Sequence, residues 1–413
     1  MKKVFLLALS FVVLGLLTGC YPTAPEEDED NTYKRISLTT KQREYINAGN
    51  AFSYRFIAKI DENELKTEKK DWFVSPLSLQ FALGMLLNAA KGQTADEICQ
   101  TLGYGAGETA EINDLCKMLL IRLPDIDKQT DLSIADAIFV KKDVTLKEPY
   151  VNVVENYYDA SIESLDFSLT DKAAKHINDW CSKQTKGMIP KVIDQVNPDN
   201  LAYLINALYF KSQWQEKFPK GNTASETFTD ENGTTGKVKM MKLDGKQFNY
   251  GETDAYQFVR LPYGNGAFEM TVLLPKKGYT VHDLTILLDN ENPAFWESRS
   301  TKVDLWLPKF ETKYHILLND ILAAMGMPGS FISGADFTAM SDRADHVDFV
   351  TQDAAIKVDE EGTEAAAVTV IGMKEAAALP PGSAVFHADH PFLYLITEFS
   401  TGAVLFAGKY SGK

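Results

Sequence analysis

This sequence predicts an α+β fold in one large domain. Three observations point there. Apolar positions recur at helical spacing through most of the first half, and long apolar and β-branched runs crowd the second. From Thr40 to the C-terminus no linker, repeat or low-complexity gap interrupts them. Helices first, then many strands without regular alternation, suit large antiparallel sheets covered by helices. A length of 413 residues would by itself suggest two or three domains. The missing linker favours one.

The elements follow in order. Lys2 and Lys3 precede an apolar run from Val4 to Leu17. That run is shorter than the roughly 20 residues a bilayer span needs, so residues 1–19 read as a signal peptide. It ends in 17-LTGC-20, which resembles a bacterial lipobox. The resemblance implies cleavage before Cys20 and acylation of its thiol. The product would be a bacterial outer-membrane lipoprotein, facing the periplasm or the outside and touching the membrane only through its lipid. Residues 20–39 include 21-YPTAPEEDEDN-31, acidic, rich in proline and without periodicity. They read as a tether; a plain solvated linker and a surface-export signal both fit. Residues 40–413 form the folded domain.

In that domain the spacing predicts a helix over 42–60, with Tyr45, Ile46, Phe52, Phe56 and Ile57 on its apolar side. The stretch 76-PLSLQFALGMLLNAAKG-92 has Pro where helices start and Gly after its end. It is apolar nearly all round, so it is a buried helix. Further helical patterns fall near 94–102, 107–121, 147–157, 171–185, 281–289 and 314–325. Strand patterns fall at 132–140, 201–211, 225–243, 256–262, 268–275, 302–310, 347–358, 384–387, 391–399 and 402–409.

Composition excludes several functions. A net charge of -15 argues against nucleic acid and sulfated polysaccharide, which need a basic surface. Besides Cys20 there are Cys99, Cys116 and Cys181, an odd number without a CxxC, so neither a disulfide framework nor a zinc site is expected. All three sit in helical patterns and read as buried thiols. No GxSxG, HExxH or P-loop is present. His387 and His390 flank Asp389, but no further ligand cluster stands nearby, and they read as polar ends of adjoining strands. No metal, cofactor or enzymatic activity is expected.

One stretch resists a bland reading. The sequence 359-DEEGTEAAAVTVIGMKEAAALPPG-382 places alanines and small β-branched residues between strand patterns, with no proline before Pro380. Its core, Glu360, Glu361, Gly362, Thr363, Glu364, Ala365, Ala366 and Ala367, resembles the hinge of inhibitory serpins nearly residue for residue. Other segments resemble serpin signatures in the expected order: 73-FVSPLSLQFALGMLLNAAKGQTADEI-98, 177-INDWCSKQTKGMI-189, 206-NALYFKSQWQEKF-218, 261-LPY-263, 307-LPKF-310, 325-MGM-327, 335-ADFTAMSD-342 and 391-PFLYLITEFSTGAVLFAGKY-410. The resemblance covers roughly residues 40–411. It implies the serpin fold: a single large domain with three β-sheets, about eight or nine helices and an exposed reactive-centre loop at about 361–384. It also implies the function. The loop baits a serine protease, or a cysteine protease, is cleaved, and stays acyl-linked while it inserts as a strand into the main sheet.

The loop composition suits insertion. Period-2 alternation from Thr363 sends Thr363, Ala365, Ala367, Thr369 and Ile371 to one face, all small or apolar and buriable without an unpaired charge. Glu364, Ala366, Val368 and Val370 take the other face. Gly362 gives the pivot its freedom. A dozen new ladder bonds at about 1 kcal/mol each, with apolar burial, supply on the order of ten kcal/mol. In the family the scissile bond usually follows the seventeenth residue from the first hinge Glu, which places it at Ala376–Ala377. Ala377–Ala378 and Ala378–Leu379 are close alternatives, and Lys374–Glu375 would suit a trypsin-like protease. A small residue before the bond resembles bait for elastase-like or subtilisin-like proteases.

The resemblance assigns two further groups. Ser75, Ser78 and Asn206 match the shutter, the polar network that must break for the main sheet to open. Gln352 stands where the family often has His; it donates and accepts at once. With no titratable group there, insertion is expected to depend little on pH between about 5 and 8. Trp214 matches the breach, the top of the same sheet. A monomer is expected. The competing expectation is a non-inhibitory serpin acting as a binding or structural protein, whose signature would be a hinge spoiled by charge, proline or bulk.

Overall fold

The computed structural model describes residues 31–67, 71–290, 297–344, 346–363 and 383–412. Six helices come early: α1 Thr40–Thr67, α2 Pro76–Ala89, α3 Gly92–Leu102, α4 Thr109–Arg122, α5 Glu148–Tyr158 and α6 Thr170–Gln184. Two come late: α7 Val281–Asn290 and α8 Asn319–Met325. The buried helix expected over 76–92 is α2. Ser75 caps it, its side chain accepting from Ser78 N, and Pro76 opens it. It packs against α1, α3, α4 and α5 on the helical side and against strands on the other.

Fifteen strands among the described residues form two hydrogen-bonded sheets. In chain order they are β1 Trp72–Val74, β2 Asp131–Lys141, β3 Ser161–Leu165, β4 Ala202–Gln213, β5 Ala224–Thr229, β6 Thr235–Glu252, β7 Tyr256–Pro262, β8 Phe268–Pro275, β9 Arg299–Pro308, β10 Phe310–Leu317, β11 Thr351–Val358, β12 Gly362–Thr363, β13 Ala384–His387, β14 Phe392–Glu398 and β15 Val404–Tyr410. The larger sheet runs β1-β15-β14-β8-β7-β6-β9-β13, with β5 also on β6. The smaller runs β10-β11-β12-β4-β2-β3. The three sheets expected appear as two because β6 pairs with β7 over its last four residues, Asn249–Glu252, and with β9 from Met240 to Tyr250. A register shift between Leu243 and Lys246 bends it between the two roles.

The apolar runs at the C-terminus are the centre of the core. Every residue of β15, every residue of β8 and all but Thr397 of β14 are buried. They lie between sheet neighbours and are covered on both faces, which is why they do not alternate.

Several sequence expectations change. The helix expected over 314–325 begins only at Asn319, because Tyr314–Leu317 belong to β10, paired with β11 from Phe310↔Val358 to Leu317↔Thr351. The buried-exposed alternation of 310-FETKYHIL-317 is a strand signal that the helical period hid. The strand expected over 347–358 starts at Thr351. The run 225–243 is a hairpin, β5 and β6, turning at residues 230–234. The short strands β1 and β3 carry no pattern long enough to be read.

Candidate functional site

The segment that resembles a serpin hinge begins where β11 ends. Asp359 N donates to Gly362 O (2.9 Å) and Gly362 N donates back to Asp359 O (3.3 Å), closing a tight turn. The chain then runs as β12 between β11 and β4, with Val358 opposite Thr363, Gly362 opposite Gln213 and Thr363 opposite Ser212. Thr363 is 2 % exposed, and its hydroxyl lies 2.6 Å from that of Tyr263. Gly362 has φ +156°, and a Cβ there would sit 2.0 Å from Ser212 O. Only glycine fits that approach.

The two hinge carboxylates are clamped. Glu360 accepts from Lys309 Nζ (2.5 Å) and from the Thr223 hydroxyl (2.7 Å). Burial pushes its carboxyl up, but the ammonium and the hydroxyl outweigh it and hold it below the usual range. Glu361 lies 3.0 Å from Lys217 and 3.1 Å from Lys220; Lys217 chiefly holds its carboxyl low. Trp214 supports the same turn. Its Nε1 donates to Asp359 O (2.9 Å), its backbone N donates to Glu361 O (2.8 Å), and its ring stacks on Tyr263 at 4.4 Å.

Further down the sheet lies the seam between β4 and β11. Among the described residues these strands are bridged only by β12. A cavity of about 420 Å³ lies along the lower seam, lined by Leu83 and Leu86 of α2, Ala202 and Leu204 of β4, and Val350 and Thr351. Both strands are tied instead to the first turn of α2. Gln352 of β11 grips one residue: Ser75 N donates to its Oε1 and its Nε2 donates to Ser75 O, both at 2.9 Å. The Ser75 hydroxyl donates to Leu405 O in β15 (2.7 Å). On the other side the Ser78 hydroxyl donates to Asn206 Oδ1 of β4, and Asn206 Nδ2 donates to Asp136 Oδ1 of β2 (2.7 Å). Helix α2 is thus a shared anchor for two strands that do not hold each other.

The structure therefore brings Ser75, Ser78, Asn206 and Gln352 into one network, and brings Glu360, Glu361, Gly362, Thr363 and Trp214 into another. Glu364, Ala365, Ala366, Ala367, Lys374, Ala376, Ala377, Ala378 and Cys20 lie outside the described residues. Asp136 was missed. Burial pushes its carboxyl up to about 7, so the network of Ser78 and Asn206 holds a titratable group that the expectation of pH indifference, argued from Gln352 alone, did not count. The signal was present: Asp136 interrupts the apolar strand 132-LSIADAIFV-140. The clamp lysines and Thr223 carried no such signal, since lysine is common on any surface. Cys99, Cys116 and Cys181 are buried free thiols. His387 bonds Asp304 (2.8 Å) and His390 bonds Asp389 (2.8 Å); no metal-binding cluster occurs among the described residues.

A family model described as serpin (serine protease inhibitor) matches residues 47–412. The chain belongs to the serpin family. An uncharacterized serpin-like protein of Thermococcus kodakarensis is 31% identical over 373 residues, 89% of this chain and 86% of that one. Among solved serpins, the thermophilic tengpin in its native state superposes with a TM-score of 0.79 at 26% identity, covering 92% of this chain and 96% of tengpin. Thyroxine-binding globulin in complex with thyroxine superposes at 0.75 with 28% identity, covering 89% and 98%. The serpin fold is therefore shared, and the family includes thyroxine-binding globulin beside its protease inhibitors.

Proposed function

We propose that this serpin inhibits serine proteases by loop insertion, with elastase-like or subtilisin-like enzymes as targets. One observation carries the reading: Gly362 and Thr363 already pair with β11 and β4 at the head of a seam whose strands are otherwise joined only through α2. The residues that follow in sequence, small on the inward set, suit continuation of that strand. The protease serine attacks the Ala376 carbonyl and the bond to Ala377 breaks. The Ala377 amine leaves carrying the proton that the serine hydroxyl gave up, and the ester persists because insertion drags the enzyme away before water attacks. Anchoring through Cys20 places this trap on the bacterial envelope as a lipid-tethered monomer, a protein inhibitor and not an enzyme. Replacing Cys20 by Ser should abolish incorporation of labelled palmitate and release the protein from the membrane fraction.

The test is a denaturing gel with mass spectrometry after mixing the protein with an elastase. The expected result is a covalent band at the summed mass and a released peptide beginning at Ala377. Cleavage of the loop without that band, across elastase-like, subtilisin-like, trypsin-like and cysteine proteases, would instead favour the carrier role that the likeness to thyroxine-binding globulin keeps open.

A further inference from the structure

Asp136 is the one charged residue in the network that joins α2 to β4 and β2. It lies on β2 directly opposite Asn206 of β4 and is 1 % exposed. Its Oδ1 accepts from Asn206, while its Oδ2 is buried with no hydrogen-bond partner. A half-satisfied buried carboxylate is costly when charged. We propose that Asp136 is a further positioning residue of the shutter, and that loss of its proton speeds the parting of β4 from β11 that admits the loop. The proposal rests on the insertion reading above.

Among the described residues no cation acts on that carboxyl. From α2 it meets the Ser78–Asn206 pair, and from β4 Asn206 itself, all neutral. From α4 it feels the Cys116 thiol and from α5 the Tyr158 phenol, each pushed far up by burial and therefore neutral. Asp159, just past α5, adds negative potential. Together these keep the proton on Asp136 to about pH 7. Above that pH the closed seam holds a bare carboxylate. Moving β4 off the end of α2 breaks the Ser78–Asn206 contact and lets water reach the row, which relieves the charged form and leaves the neutral form unaffected. Opening is therefore favoured as pH rises through the Asp136 titration. Relief of one pKa unit in the barrier is a tenfold rate increase.

The experiment removes the protease. The full-length protein is incubated with a synthetic peptide of residues 363–376, and incorporation is followed on native gels from pH 5.5 to 8.5. The wild type should incorporate about tenfold faster at pH 8.5 than at pH 5.5. Asp136→Asn, permanently neutral and nearly isosteric, should be flat at the slow rate. Asp159→Asn should keep the slope and move its midpoint down. A flat wild-type profile, or an Asp136→Asn slope equal to wild type, overturns the proposal while leaving the insertion reading intact. Absence of incorporation at every pH in both proteins overturns the reading and the proposal with it. If Asp136→Asn does not fold, infrared titration of the wild type decides: a buried protonated carboxyl disappearing near pH 7 supports the proposal, and its absence at pH 5.5 overturns it.

Discussion

The two sheets of this molecule are built on opposite rules. At the centre of the larger, β8, β14 and β15 pair continuously and bury almost every side chain, with Phe406 stacked on Phe73 at 5.1 Å. At the centre of the smaller, β4 and β11 are held to a helix end by a few side-chain hydrogen bonds, and several β4 residues are only half-buried. The first arrangement has one deep minimum. In the second, a handful of polar contacts join the two strands to α2, and under the insertion reading proposed above these are the contacts that would have to be exchanged. The difference teaches that the densest packing and the seam joined through a helix end lie in different sheets.

That contrast can be broken or sharpened by substitution. The largest stability loss should come from the dry sheet: Phe406→Ala ought to cost about 3–5 kcal/mol in denaturant unfolding, whereas Leu204→Ala beside the seam should cost far less. Equal costs would erase the distinction. Next comes the buried ion pair Lys409–Asp61, 3.2 Å apart with both groups essentially inaccessible. Lys409→Met removes the ammonium that Asp61 shares with Glu231, leaving Asp61 with Trp72 Nε1 and His282 alone, and should cost about 3 kcal/mol. At the hinge the sign of the effect changes. Thr363→Arg must leave its place between β11 and β4 and give up the Tyr263 contact, which should cost about 1–3 kcal/mol in unfolding, since displacing β12 costs less than breaking the fold. Yet the protein should become a substrate, cut by elastase without a covalent band. A retained band would mean that Thr363 does not lead insertion. Trp214→Phe keeps the stacking on Tyr263 and loses only the bond to Asp359 O, a cost of about 1 kcal/mol, visible as a modest increase in spontaneous conversion to an insertion-incompetent form.

The smallest effect is an acid one. The Glu360 carboxyl is held below its ordinary value by Lys309 and Thr223 against burial. A depressed folded pKa contributes stability that is present above the unfolded value and lost as pH falls through the folded one. Hinge loosening from this clamp should therefore appear only below the ordinary glutamate range, well apart from the Asp136 titration near pH 7. Lys309→Ala should abolish the acid-side change in limited proteolysis at the hinge. Persistence of that change in the variant would assign it elsewhere.

Much of this was legible in the residues. Periodicity and length located α1, α2 and the buried C-terminal strands, because apolar spacing records which face meets the core. The hinge was read from its resemblance to inhibitory serpins; of that run Gly362 and Thr363 lie among the described residues, paired with β4 and β11. The sequence did not reveal β1, too short to carry a period, or β10, whose alternation overlapped a helical spacing. It placed Ser75, Ser78, Asn206 and Gln352 in one network by resemblance alone; that two of them grip different strands from one helix end required the packed structure. The protonation of Asp136 belonged wholly to tertiary structure. An aspartate is an ordinary acid until the chain folds around it; burial first, then the facing Asn206 and the negative potential of Asp159, with one oxygen left unpartnered, decide where its proton goes.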